Sequence, residues 1–217
     1  EISECLVGSE MCIRDSNNTV AGITSTLDTV DGALECMDDT EDLREVMKVC
    51  VDRCYSMSRF ITNFANVVKI PEPQLQLVSL NDRVAACKMF METVCRNRNI
   101  TLHLTLCDEN PHVRMDTSLF EQVLVNIIKN AAESIGEEGN IFIRTSVFPT
   151  MLEIADTGAG ISKEVEAKLF SPFFSTKPNG QGIGLIFIRE VLMKHGCTFS
   201  LRTYSDGLTR FRIRFSA

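Results

Sequence analysis

The chain has 217 residues, 44% hydrophobic and 24% charged, enough for one substantial core and a smaller second unit. Its formal net charge of −7 argues against nucleic acid or an anionic membrane surface as the main partner. No run of about 18 apolar residues occurs, so no membrane span is expected, and the mildly apolar stretch Cys5 to Ile13 lacks the marks of a signal peptide.

Residues 1–16, EISECLVGSEMCIRDS, show no clear period and read as translated adaptor sequence joined to a native chain, so they stay unassigned. From Asn17 a helical stripe begins with Val20, Ile23, Leu27, Val30 and Leu34, ending near Asp38 and Asp39. A second stripe starts at Thr40 and runs through Leu43, Val46, Met47, Cys50, Cys54, Met57, Ile61, Phe64 and Val67 towards Pro71. Two such helices form an antiparallel hairpin whose leftover apolar seam calls for a partner, most simply a second copy of itself in a four-helix dimer. Lys69 to Leu77, with Pro71 and Pro73, reads as a linker and puts the domain boundary near residue 76.

Beyond it, helical periods are expected from Asn81 to about Arg96, through Phe120 to Ala132 with Asp116 as N-cap, and from Ile183 to about Lys194. Period-two stretches at Ile100 to Leu106, Ile141 to Val147, Met151 to Ala155, Thr198 to Tyr204 and Thr209 to Phe215 are strands, the last two a hairpin around Asp206-Gly207. The fold class is α+β: a two-layer α/β sandwich preceded by an antiparallel helical hairpin. Nine scattered cysteines without paired spacing read as reduced, partly buried thiols. The three histidines, His103, His112 and His195, have no metal-ligand spacing.

Three stretches carry candidate chemistry. The helix FEQVLVNIIKNAA buries one broad face and shows a narrow polar edge of Gln122, Asn126, Lys129, Asn130 and Glu133. Asp156-Thr157-Gly158-Ala159-Gly160 follows a strand, where a rigid carboxylate can accept from an exocyclic amine such as that of adenine. The same letters suit the nucleophilic loop of an aspartic protease, which would need a symmetric dimer to supply its second carboxylate. Gly180-Gln181-Gly182-Ile183-Gly184-Leu185 opens a helix and can present backbone N–H groups to an anion. Between these glycine stretches, Phe170 to Lys177 is either core or a lid over a ligand.

NIIKNAAESI, DTGAGI, LFSPFFSTK and GQGIGL, in this order, resemble the N box, first glycine box, F box and second glycine box of the sensor histidine kinase ATP-binding domain. That domain belongs to the superfamily of gyrase, Hsp90 and MutL, and the resemblance implies an ATP-binding catalytic domain at 77–217. It also implies that the hairpin, 17–76, is the dimerisation and phosphotransfer domain. By resemblance, Asn130 binds Mg²⁺, Asn126 and Lys129 line the phosphate side, and Asp156 reads adenine over Gly158 and Gly160. Gly180, Gly182 and Gly184 cradle the phosphates, and Phe170 to Lys177 forms the lid. Ile161, Phe170, Phe174, Thr176, Ile183 and Leu185 then surround the nucleotide, and Asn130 and Lys177 act on the phosphoryl group being transferred.

The resemblance further implies a cytoplasmic homodimer, in or beside a membrane-anchored sensor, that passes phosphate to a response regulator receiver domain. One departure is serious. Counted back from Asn17, the phosphoacceptor histidine position falls on Arg14 and its acidic neighbour on Asp15, and no histidine precedes His103. A pseudokinase or scaffold that binds ATP without phosphotransfer is therefore the first rival, with the dimeric aspartic protease a remote second.

Overall fold

The computed structural model describes all residues except 1, 35–39, 69, 172–173, 178–181 and 217, with backbone alone in 2–15, 59–60 and 63–68. The chain divides into two compact units, residues 1–69 and 70–217. The first is a helical hairpin of α1 (Ile2–Leu34) and α2 (Glu41–Val68). Helix α1 thus reaches back through residues to which the sequence assigns no period. The loop expected at Asp38 and Asp39, and the side chains of Phe64 and Val67, lie outside the described residues. Two side-chain bonds tie the hairpin at its turn: Thr40 Oγ1 donates to the Leu34 carbonyl at 2.9 Å, and Arg44 Nε to Asp31 Oδ1 at 3.0 Å. Val20, Leu34 and Ile61 are buried within it, whereas Ile23, Val30, Leu43, Val46 and Val49 stay exposed. The stripes therefore exceed what two helices can cover.

In the second unit a five-stranded sheet, order β2-β4-β5-β7-β6, carries helices on one face. Its strands are β2 (Ile100–Thr105), β4 (Gly139–Val147), β5 (Thr150–Asp156), β6 (Thr198–Thr203) and β7 (Thr209–Arg214). Pairing is antiparallel except for β2 with β4, which run parallel around the crossover helix α4 (Thr117–Ile135). Helices α3 (Leu80–Arg96), α4 and α6 (Gly184–Lys194), the last preceded by the single turn α5 (Lys163–Glu166), bury Val84, Met91, Phe120, Leu124, Ile128, Ile188 and Leu192 against Ile141, Ile143, Leu152, Ile154, Phe211 and Ile213.

The linker reading of Lys69 to Leu77 gives way in part. Ile70 is buried in the core of the second unit, and β1 (Gln76–Ser79) pairs antiparallel with β3 (His112–Met115). Four-residue strands are too short to show a period, and the prolines before β1 mask it. Ser79 caps α3 by accepting the Asp82 N–H, and Asp116 caps α4 by accepting from Ser118 and Leu119. The described cysteines are free thiols; burial pushes Cys87 up to about 12 and Cys197 up to about 11, so neither is a ready thiolate. Among the described residues no helix is long and apolar enough to cross a membrane, and no cluster of three or more metal-ligating side chains forms.

Candidate functional site

Asp156 closes β5 on the helix-facing side, 6% exposed, directly opposite Thr209. Its carboxylate accepts the Gly158 N–H at 2.9 Å, the one hydrogen bond it makes among the described residues. Burial pushes it up to about 6, against the lowering effect of that N–H. A buried carboxylate with spare lone pairs is a ready acceptor for a ligand N–H.

The glycine loop after Asp156 is pressed onto the last turn of α4. A Cβ on Gly158 would sit 2.3 Å from Ser134 Oγ and 2.8 Å from the Ser134 carbonyl carbon, so only glycine fits there. The Ala159 N–H donates to the Ser134 carbonyl at 3.3 Å, and the Thr157 N–H to that of Asn140 at 3.2 Å. Gly160 has φ +80, a left-handed backbone that favours glycine. Half-buried Ile161 donates its N–H to Thr203 Oγ1 at 2.7 Å.

The polar edge of α4 comes next. Asn126 and Asn130 are half-buried and Lys129 is exposed. Lys177 Nζ donates to Asn130 Oδ1 at 3.3 Å and to Glu133 Oε2 at 2.5 Å, while Lys129 Nζ lies 4.0 Å from Glu133 Oε1. The structure therefore brings Asn130 and Lys177, far apart in sequence, to one spot, with an ammonium cation on the Asn130 amide oxygen. That oxygen is a hard donor suited to a cation such as Mg²⁺.

Around the second glycine stretch, Gly182 has φ +65, and a Cβ on Gly184 would meet nothing within 4 Å. Among the described residues no side chain caps the N-terminus of α6, whose first amides and positive dipole end suit an anion. Gly180 lies outside the described residues. Ile183 is buried and Leu185 packs against the core. Phe170 is anchored: its ring meets Phe199 edge-on at 5.2 Å and its carbonyl accepts from Arg189 Nη1 at 3.0 Å. Phe174 is half-buried and Thr176 exposed.

The sequence reading passed over Ser134, Thr203 and Thr209. A signal for Thr209 was there: stepping back by two from Phe215, Ile213 and Phe211 lands on a threonine facing the core.

Residues 115–217 match the family described as histidine kinase-, DNA gyrase B- and HSP90-like ATPase. The sensor histidine kinase ZraS of Salmonella typhimurium is 27% identical over 168 residues, covering 76% of this chain and 36% of that protein. The nucleotide-free catalytic domain of histidine kinase ThkA superposes with a TM-score of 0.60 at 28% identity, over 65% of this chain and 95% of its own. The second unit has the fold of a histidine kinase catalytic domain and is similar in sequence to the ATPase core of sensor histidine kinases. ThkA crystallised with the response regulator protein TrrA shares the fold over 98% of this chain and 61% of its own, with a TM-score of 0.65 at 22% identity. The chain spans about a third of the length of ZraS.

All three histidines lie in the second unit. His195 Nε2 accepts the Asp116 N–H at 2.9 Å while Nδ1 donates to the Val191 carbonyl at 2.7 Å, which fixes one neutral tautomer and ties α6 to the cap of α4. His103 stacks on Phe142 at 4.8 Å, and His112 sits on the short strand β3.

Proposed function

We propose that the chain is the ATP-binding core of a two-component sensor histidine kinase. Its reaction moves the γ-phosphoryl of ATP to a histidine and then to an aspartate on a response regulator receiver domain. What carries the reading is Asp156, a buried carboxylate holding a single N–H donor beside a glycine loop. It accepts the exocyclic amine of adenine, a charge-assisted bond worth about 1.5 to 3 kcal/mol. Ile161 and the loop glycines Gly158 and Gly160 form the floor. The first amides of α6, with Gly180, Gly182 and Gly184, take the phosphates. Asn130 Oδ1 is the group that would hold Mg²⁺, which would supply charge neutralisation at the phosphates. Lys177 then exchanges Glu133 for a phosphate oxygen, and Asn126 and Lys129 line the same side. The exposed seam of Ile23, Val30, Leu43, Val46 and Val49 fits a second copy of the hairpin, giving a homodimer. The protein works in the cytoplasm, as or beside the inner part of a membrane sensor.

Arg14, where the acceptor histidine is expected, supports a second reading in which this chain binds ATP and transfers nothing. An always-protonated guanidinium is no nucleophile, and phosphoryl transfer needs one held in line at about 3 to 3.5 Å. Radiolabelled ATP separates the two. Acid-labile label is expected only after Arg14→His with Asp15→Glu; label in neither form favours the binding-only reading, and label in the unaltered chain shows that another residue is the acceptor.

A further inference from the structure

Three cross-strand neighbours form a polar row at one end of the core face of the sheet: Asp156 on β5, Thr209 on β7 and Thr203 on β6. The next rows along the same strands are apolar, Ile154–Phe211–Leu201 and then Leu152–Ile213–Phe199. Two threonines at otherwise apolar positions, one of them 3% exposed, call for an account in hydrogen bonds. Thr203 Oγ1 accepts the Ile161 N–H at 2.7 Å and lies 2.9 Å from Thr209 Oγ1. One hydroxyl thus joins the closing residue of the glycine loop to the neighbour of Asp156. The Thr203 side chain also meets the loop at Gly160, where a Cβ would stand 3.4 Å from its methyl carbon.

We infer that Thr203 is a positioning residue for the base end of the site. Its hydroxyl holds the Asp156 to Ile161 loop at its far end, as Ser134 holds it in the middle, so the loop is set before nucleotide arrives. The inference rests on the ATP-binding reading for its ligand, and on the Ile161 bond alone for its mechanics. Preorganisation of this kind acts on affinity through the loop, since Thr203 itself need touch no nucleotide atom.

The test compares Thr203→Val, which keeps the shape and loses the hydroxyl, with Thr203→Ser, which keeps the hydroxyl, in the full chain. Amide exchange at Ile161 is read by NMR, and ATP and ADP affinity by calorimetry. Thr203→Val is expected to speed Ile161 exchange about tenfold or more. It should weaken ATP and ADP by one common factor of about five- to tenfold, because the defect lies at the base and not at the γ-phosphate. Thr203→Ser should stay within about twofold of the unaltered chain on both readouts. Unchanged exchange and affinity in Thr203→Val overturn the inference, as does a loss in Thr203→Ser equal to that in Thr203→Val. Should Thr203→Val fail to fold, Thr203→Ala carries the same comparison. Failure of the unaltered chain to bind ATP would sink the functional reading, while the Ile161 exchange contrast would still decide this one.

Discussion

Asp156→Asn should make the nucleotide-free protein more stable and a worse binder at once. The carboxyl is 6% exposed, and burial pushes it from its ordinary 3.8 up to about 6. At about 1.36 kcal/mol per pH unit, that gap makes the ionised group cost about 3 kcal/mol once pH is above 6. Because the folded pKa is raised, this stability is fully present below about 3.8 and is lost as pH rises through about 6. Asparagine removes the charge yet keeps an oxygen to accept the Gly158 N–H. Scanning calorimetry at pH 7.5 should show the variant melting several degrees higher, at about 2 to 4 °C per kcal/mol for a unit of this size, with the gap closing near pH 4. ATP affinity should fall about tenfold or more. A variant less stable than the unaltered protein at pH 7.5, or an advantage that ignores pH, would refute the reasoning.

Gly158→Ala should destabilise the second unit by about 1 to 3 kcal/mol, measured by urea unfolding, because its methyl meets Ser134 backbone as well as side chain. Asn130→Asp should shift the Mg²⁺ concentration needed for half-maximal ATP binding while leaving the melting temperature within a degree or two, since Asn130 is only half-buried. A chain beginning at Ile70 should be monomeric by light scattering and still bind ATP, whereas the full chain should be dimeric at tens of micromolar. A monomeric full chain would defeat the four-helix reading of the hairpin.

Long periodic elements were legible from the sequence. The 3.6-residue stripe of α4 and the alternation of β4, β5 and β7 each bury a continuous face, and Asp116 announced its helix through cap chemistry. The strands β1 and β3 were not, because four residues beside prolines carry too little pattern. Asp156 and the glycines stood out because backbone approach restricts residue type at those points. Thr203 and Ser134 stayed hidden: their roles arise from strands and loops distant in sequence, and a threonine in a strand is unremarkable until its partners are placed. Phe170 looked like lid and core at once; its contact with Phe199 and the bond from Arg189 fix it to the core side.

Titration calorimetry of the full chain with ATP probes the nucleotide site built from Asp156, the α6 N-terminus and Asn130. Saturable one-site binding is expected, tightening on addition of Mg²⁺ and weakening about tenfold or more in Asp156→Asn. Absence of saturable binding at millimolar ATP with Mg²⁺ present, or binding that Asp156→Asn leaves untouched, would contradict it.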